Sequence, residues 1–564
     1  MTRIVQRPFD IEKATQLIAD GFSPALARAL AARGIASRDD LLVDWQGLLA
    51  PHQLEGTREA AIRLAQARER GELVTIVADY DCDGATACSI AMKGLTQMGI
   101  RVNYFVPDRV TQGYGLTPSF VDMIHERSPE TRLIVTVDNG ISSIKAVEQA
   151  RQYGIDVIIT DHHLPGDVEP QALAIVNPNR KGSTFASKNL AGVGVMYYVL
   201  LALRAYLREQ GVYDRMTQPR LDALVDLVAL GTVADVVKLD KNNRILVAQG
   251  LKRIRQGLAQ PGIQALFSIA GRKPEEASVR DFGFAIGPRI NAAGRLSSMQ
   301  NGIECLLSPT ETTALVFARE LNAINRERRE LETNMQQIAE AAVEAQLESH
   351  RATLCLRDEE FNEGVVGLVA SRIKDRIHRP VFAFAPADNQ TLKGSGRSIP
   401  GIHLRDMLAI VNQALPGAIV RFGGHAAAAG LTLNAAFYED FCRLLEDTVK
   451  AHTEPHLFER IVYADGGLKA TEINESLITS IDQLIWGQGF EAPIFANDFT
   501  VRRQTVLKDA HLKLTLEHEG ALFDAIFFRR RDPLAQHVTL AYRPTINEFM
   551  GRRSIQLVIE AADE

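Results

Sequence analysis

The chain has 564 residues, enough for several domains, and its 46% hydrophobic and 23% charged residues mark a folded globular protein rather than a disordered or fibrous one. No apolar run is long enough for a bilayer span and "MTRIVQRPFDIEKATQ" has no apolar signal core, so a cytoplasmic protein with no membrane partner is expected. The net charge of −6 excludes a chain that is basic throughout, and five cysteines without CxxC or framework spacing fit a reducing compartment.

Residues 1–70 are expected to form an N-terminal helical segment, because "DIEKATQLIADGFSPALARALAARGI" places apolar residues at helical spacing. Over 71–308 the strands "LVTIVAD", "RVNYFVP", "RLIVTVD" and "DVIITD" alternate with helices such as "ATACSIAMKGLTQMG" and "ISSIKAVEQARQYG". That alternation predicts βαβ units and a parallel sheet, followed from 188 by a mostly helical part. A stretch free of Pro and Gly makes 309–350 one long connecting helix. Strands and helices alternate again over 351–452, a smaller α/β domain. Residues 453–564 carry six short strands, "ERIVYAD", "DFTVRRQTVL", "HLKLTLEH", "ALFDAIFFRR", "HVTLAYRP" and "SIQLVIEA", and predict an OB-like β-barrel.

Three predicted strands end in aspartate, at Asp79, Asp138 and Asp161. In open α/β sheets, ligands bind beyond the carboxyl ends of the strands. The stretches "DYDCDG" (79–84), "TVDNG" (136–140), "TDHHLP" (160–165) and "GTVADV" (231–236) therefore gather acid and imidazole at one edge. Taken singly, each has an ordinary reading as a helix cap, a turn or an exposed loop. Taken together, like charges that repel and prefer water call for cations among them. Carboxylates with imidazole suit Mn²⁺, and all-oxygen sets suit Mg²⁺. One divalent ion cannot neutralise five carboxylates, whereas two nearly can, and a two-metal site can activate water and stabilise a leaving oxygen.

These motifs, in this order, resemble those of the DHH phosphoesterase superfamily, and "FGGHAAAAG" with "GSGRS" resemble its associated second domain, DHHA1. The likeness runs nearly end to end. "GPRINAAGRL" (287–296), "GVVGLVASRI" (364–373) and "INEFMGRRSIQL" (546–557) resemble the bacterial single-strand-specific exonucleases within it. The resemblance implies Asp79, Asp81, Asp83, Asp138, His162 and Asp235 as ligands of two Mn²⁺ or Mg²⁺ ions. It places His163 near the scissile phosphate, to stabilise charge or transfer a proton, with Asp161 acting in catalysis or orienting a neighbour. The chain departs from the superfamily at Val77 and Ala78, where many members carry a histidine, and at Phe361-Asn362, where relatives often carry Trp-His.

For the substrate, Ser395 and Arg397 of "KGSGRS" and Gly424 with His425, ahead of an Ala-rich helix start, are expected to hold phosphate through glycine-spaced amides and a forked guanidinium. Arg289, Asn291 and Arg295 of "GPRINAAGR", and Arg109 of "PDRVTQGYG", suit phosphate or sugar contacts. In the tail, Arg502-Arg503, Arg529 to Arg531 and Arg552-Arg553 lie among Phe528, Tyr542 and Phe549. Such a pattern suits a single strand, whose bases stack while its backbone follows positive charge.

The sequence thus reads as a parallel-sheet DHH domain, a long helix, a smaller DHHA1 domain and an OB-like barrel. The expected activity is a 5′→3′ exonuclease on single-stranded DNA, releasing mononucleotides in repair and recombination, as a monomer working with a single-strand-binding protein and a helicase. Polarity, DNA preference and protein partners come from the resemblance alone. The alternatives are a DHH-type phosphodiesterase of short oligonucleotides or cyclic dinucleotides, and a DNA-binding relative without catalysis.

Overall fold

The apolar run Leu73–Ala78 is the first strand of a five-stranded sheet in the computed structural model, which describes residues 2–108, 113, 115–349, 351–387, 390–508, 510–549 and 552–563. Across this sheet the order is Arg101–Phe105, Leu73–Ala78, Thr131–Val137, Asp156–Thr160, Ala174–Val176, and every pairing is parallel. Ile76, Val77, Ile134, Val135, Ile158 and Ile159 are fully buried. Cover on both faces is why these strands read as unbroken apolar runs. Leu73–Ala78, the first of these five strands, lies between the second and the third. The connections therefore diverge from the gap between Leu73–Ala78 and Thr131–Val137, the switch point where α/β sheets open a crevice.

This sheet belongs to one of two compact units, residues 37–326 with 483–492. Helices Cys82–Gln97, Gly192–Glu209 and Val225–Ala234 pack on one another within it. The last is apolar nearly all round and Leu227 to Leu230 are fully buried, as a helix enclosed by protein requires. Among the described residues, no helix is long and apolar enough to cross a membrane. The stretch expected as a connecting helix is one helix, Glu311–Ser349.

The other unit comprises residues 1–36, 327–482 and 493–564. Its sheet runs Ile419–Gly424, Ala428–Asn434, Thr391–Arg397, Val381–Pro386, Leu354–Arg357, antiparallel except for the last pair. Phe382 and Phe384 meet Phe441 edge-on in its core. A closed barrel follows, in the order Phe495–Leu507, His511–His518, Ala521–Phe527, Arg552–Asp563, His537–Phe549.

Two local expectations give way to long-range pairing. Thr2–Gln6, expected as helix, is a strand, and Arg460–Ala464, expected as a barrel strand, is its parallel partner. The partner lies at the far end of the chain, where no local pattern reveals it. A third concerns the alanines after His425: Ala428–Asn434 is a strand, because Gly424 turns the chain at φ 136° and the His425 amide donates to Ala428 O.

The N-terminal segment is tied in by charge as well as by strand pairing. Arg33 donates to both oxygens of Asp465 at 2.7 and 3.0 Å, and both side chains are buried. Removing one partner strands the other charge in a dry site, at about 3–5 kcal/mol. Asp465→Ala is therefore expected to lower the melting temperature and to open residues 1–36 to limited proteolysis. Melting and cleavage like those of the parent would show that the pair carries no such load.

Candidate metal centre

The carboxyl end of Leu73–Ala78 delivers Asp79 and Asp81 into the switch-point crevice, and the next helix begins there. Asp81 caps Cys82–Gln97 by accepting the Gly84 amide at 3.0 Å, and Asp79 accepts the amide of Tyr80 at 2.8 Å. Asp138 ends Thr131–Val137 at φ 63°, a left-handed conformation that Asp tolerates better than most residues. Asp235 follows the buried helix Val225–Ala234. His162 and His163 follow Asp156–Thr160 and are held by their backbones, for Asn179 and Asn177 donate side-chain N–H groups to the His162 and His163 carbonyls at 2.6 and 2.9 Å.

The result is a tight knot of donors. His162 Nε2 stands 3.1 Å from Asp138, 3.4 Å from Asp235 and 3.9 Å from Asp83. Three sets, Asp79 with Asp81 and Asp138, Asp83 with His162 and Asp235, and Asp138 with His162 and His163, each bring their ligand atoms within 4.8 Å. Asp138 Oδ1 and His162 Nε2 are buried with no hydrogen-bond partner among the described residues. Backbone is kept clear by glycine: a Cβ on Gly192 would lie 2.5 Å from Asp138 Cβ, and one on Gly231 2.2 Å from Thr86 Oγ1. Orphaned donors turned inward, oxygen and imidazole chemistry, and a cradle that a single methyl would fill all fit divalent cations.

Electrostatics agree. Burial first, then the neighbouring carboxylates, push Asp79, Asp138 and Asp235 well above the usual carboxylate range. Asp83 is raised to about 7 by burial and Asp81, although the amides of Val193 and Gly192 bond both its oxygens and hold it down. Asp83 thus also braces the start of helix Gly192–Glu209.

The two adjacent histidines are driven apart. Burial, and then the charge of His163, lower His162 to about 4, so it is a neutral imidazole with a lone pair to give. For His163 burial works downward, but Asp161, with Asp79 and Asp81 behind it, prevails and lifts it to about 9. Asp161 Oδ1 sits 2.7 Å from His163 Nδ1 and accepts the amides of His162 and His163, while Oδ2 accepts the amide of Ile141. Burial disfavours its charge, yet these bonds keep its pKa low. With both oxygens engaged in this way, Asp161 orients His163.

The structure places the substrate candidates unevenly. Asn291 is turned to the acidic loop, where it accepts the Cys82 amide at 2.7 Å. Arg289 is buried and donates to Asn322 and to the Ala285 carbonyl. Arg295 ends the same helix and is half-buried. Arg109 lies outside the described residues. In the other unit, Ser395, Arg397, Gly424 and His425 come together at one end of the sheet, since Arg397 pairs with Ala428, Gly424 with Ala429, and the His425 amide reaches Ala428. Arg397 donates to Ser395 Oγ at 3.0 Å, and Gly367, in the first turn of helix Val366–Ile377, lies against both. Two glycines of "KGSGRS" have a different purpose from the one expected. A Cβ on Gly394 or Gly396 would strike Phe384 or Phe382 at 2.4 Å, so these residues admit the aromatic core rather than a phosphate. On the barrel, Tyr542 is no stacking surface: it is fully buried and donates to Asn497. Phe528, Arg503, Arg529, Arg531 and Arg553 are exposed, whereas Arg502 is tied to Glu517.

Sequence reading missed Asn177 and Asn179, which hold the histidine backbone, and Gly192, which makes room for Asp138. A signal existed: "NPN" follows directly on the strand Ala174–Val176, at the edge where the aspartates collect.

Three family models match the chain. Residues 73–232 match the model of the DHH family N-terminal domain, 349–451 that of the DHHA1 domain and 464–561 that of the RecJ OB domain. The chain is 44% identical over 573 residues to the single-stranded-DNA-specific exonuclease RecJ of Escherichia coli, covering 99% of each. It is similar to two crystal structures of RecJ from Thermus thermophilus. The Mn²⁺ complex gives a TM-score of 0.82 at 27% identity and the Mg²⁺ complex 0.77 at 26%, with all of this chain covered and 79% and 78% of theirs.

The acidic cluster sets the pH response. A carboxyl raised from 3.8 to about 7, like Asp83, still holds a proton in the folded apo chain at pH values where the unfolded chain has already released it. Its contribution is full at low pH and is lost as pH rises through 7. His163, raised to about 9, acts in the same direction; His162, lowered to about 4, opposes them, as does Asp161 at more acid pH. In EDTA the melting temperature is expected to be higher at pH 6 than at pH 8. Mn²⁺ binds the deprotonated set and reverses the order. Asp138→Asn relieves repulsion, so it should raise the apo melting temperature and erase most of the Mn²⁺ gain. Hydrolysis should fall by at least about 100-fold, the scale that even outer-layer metal partners reach. Melting that ignores both pH and Mn²⁺ would remove the metal assignment.

Proposed function

The chain belongs to the RecJ family of single-stranded-DNA-specific exonucleases, and we propose that it degrades single-stranded DNA 5′→3′, releasing mononucleotides with two divalent cations, Mn²⁺ or Mg²⁺. The observation that carries this reading is the buried carboxylate cluster around His162, with His163 held by Asp161 at its edge.

Asp79, Asp81, Asp83, Asp138, Asp235 and His162 would hold the cations. When bound, such ions supply Lewis-acid stabilisation of the phosphoryl oxygens and lower the pKa of water. The remaining chemistry belongs to the chain. His163, fixed by Asp161, is placed to hydrogen-bond the developing charge or to give its proton to the leaving oxygen. Water adds to phosphorus as the P–O3′ bond breaks. The terminal nucleotide leaves, and the shortened strand keeps a 5′-phosphate for the next cycle.

An exonuclease needs a feature that only an end possesses. A terminal 5′-phosphate has more charge and one more free oxygen than an internal phosphodiester. Arg397, Ser395 and the Gly367 turn at the start of Val366–Ile377 form a group suited to that extra charge. Arg295, Asn291 and Arg289 remain candidates for contacts further along the backbone. We place the exposed cations of the barrel, with Phe528, along the single strand. The enzyme acts as a monomer in the cytoplasm, in DNA repair and recombination, and a helicase and a single-strand-binding protein are its natural companions, since they create and hold its substrate.

Two outcomes are expected. Arg397→Ala should weaken cleavage of 5′-phosphorylated strands far more than of matched 5′-hydroxyl strands, bringing the two rates together; a variant that keeps the full preference would move the anchor elsewhere. Replacing Arg503, Arg529, Arg531 and Arg553 by Ala should weaken binding to a long single strand. It should also reduce the slope of log affinity against log salt, by about 0.7 for each phosphate that is no longer neutralised. An unchanged slope would take the barrel off the DNA path.

A further inference from the structure

The helical stretch from Val279 to Leu296 lies along the rim of the metal centre. It is uninterrupted but has one over-wide turn, in which the Gly287 amide donates to Phe282 O, five residues back. Pro288 has no N–H to offer the Phe284 carbonyl, and the turn opens there. Downstream, a Cβ on Gly287 would lie 3.0 Å from Ala234 Cβ, one on Gly294 1.9 Å from Tyr80 O, and Asn291 accepts the Cys82 amide. Ala234, Tyr80 and Cys82 are each next in the chain to a carboxylate of the centre.

On the wide turn, Phe284 is 74% exposed. Its neighbour Gly283 packs near Val233, two residues before Asp235. Val236, directly after Asp235, is 61% exposed and sits at φ 63°, a conformation β-branched residues rarely adopt. Leu164, directly after His163, is 65% exposed. His162 and Asp235, the neighbours in the chain of His163–Leu164 and of Val236, approach to 3.4 Å. Single exposed apolar residues are ordinary, but here they are borne by the segments that carry the ligands. A site so rich in carboxylates repels the substrate's phosphates wherever cations do not intervene. Uncharged contact must do part of the holding, and every base offers a flat apolar face whatever its sequence.

We propose that Phe284, on the wide turn whose Gly283 packs near Val233, is the platform on which the nucleobase beside the scissile phosphodiester stacks. The proposal rests on the exonuclease reading and adds the contact that positions the base while tolerating any sequence. A duplex, whose bases are stacked on one another, cannot make it without unpairing.

The test is a set of 5′-phosphorylated single strands with one abasic tetrahydrofuran site at each of the first four positions, cleaved by the full-length protein with Mn²⁺. The parent is expected to lose about tenfold in kcat/KM at one position flanking the cut, within the range base–aromatic stacking supplies. Phe284→Ala should lose a similar factor on the intact strand and become indifferent to the abasic site there. Phe284→Trp should restore both rate and sensitivity. The Mn²⁺-induced rise in melting temperature should be the same in all three proteins, which separates the platform from folding and metal binding. Full abasic sensitivity in Phe284→Ala, a parental rate in that variant on the intact strand, a changed Mn²⁺ response, or a parent indifferent at all four positions would each overturn the platform. A parent that cuts no single strand would overturn the exonuclease reading and the platform with it.

Discussion

The mutual repulsion of carboxylates packed out of water is the constraint that orders one unit of this molecule. Asp79, Asp83, Asp138 and Asp235 are pushed above the usual carboxylate range by burial and by one another. A chain does not hold such a cluster for stability. It can be held only if the surrounding backbone is fixed by other forces, and the surroundings show what those are. Fully buried parallel strands set the positions of the strand ends. The amides of Gly192 and Val193 engage Asp83, and Asn291 takes the Cys82 amide. Asn177 and Asn179 clasp the histidine backbone.

The same setting divides labour between neighbouring residues of one type. His162 and His163 are adjacent in the chain, yet one is lowered to about 4 and the other raised to about 9. The difference arises from Asp161, which bonds the ring of His163 and leaves His162 Nε2 facing the carboxylates. The two imidazoles are thus shifted in opposite directions. Environment, not residue identity, makes that assignment.

The other unit shows glycine serving packing. In "KGSGRS" the alternation of strand side chains points Gly394 and Gly396 at Phe384 and Phe382, while Ser395 and Arg397 face the opposite side. The glycines let the strand lie flat on aromatic rings, and that flatness presents Ser395 and Arg397 on the opposite face. In the barrel, closure turns Tyr542 inward and leaves Phe528 and several arginines outside.

The sequence by itself was enough for the sheet type, the long helix, the barrel and the acidic motifs. Strand runs, helix periodicity and strand-end aspartates are local patterns, and buried parallel strands announce themselves as apolar runs. It could not reveal the strand pairing of Thr2–Gln6 with Arg460–Ala464, nor that the alanines after His425 extend rather than coil, because each depends on a partner distant in the chain or on a turn angle. Nor could it tell that Arg289 is buried, that Asp161 supports His163, or that Tyr542 lies in a core, since burial belongs to the packed structure and not to the residue. Local composition decided which elements form and where charge collects. Only tertiary structure decided which of those charges meet and which way burial and neighbours shift each one.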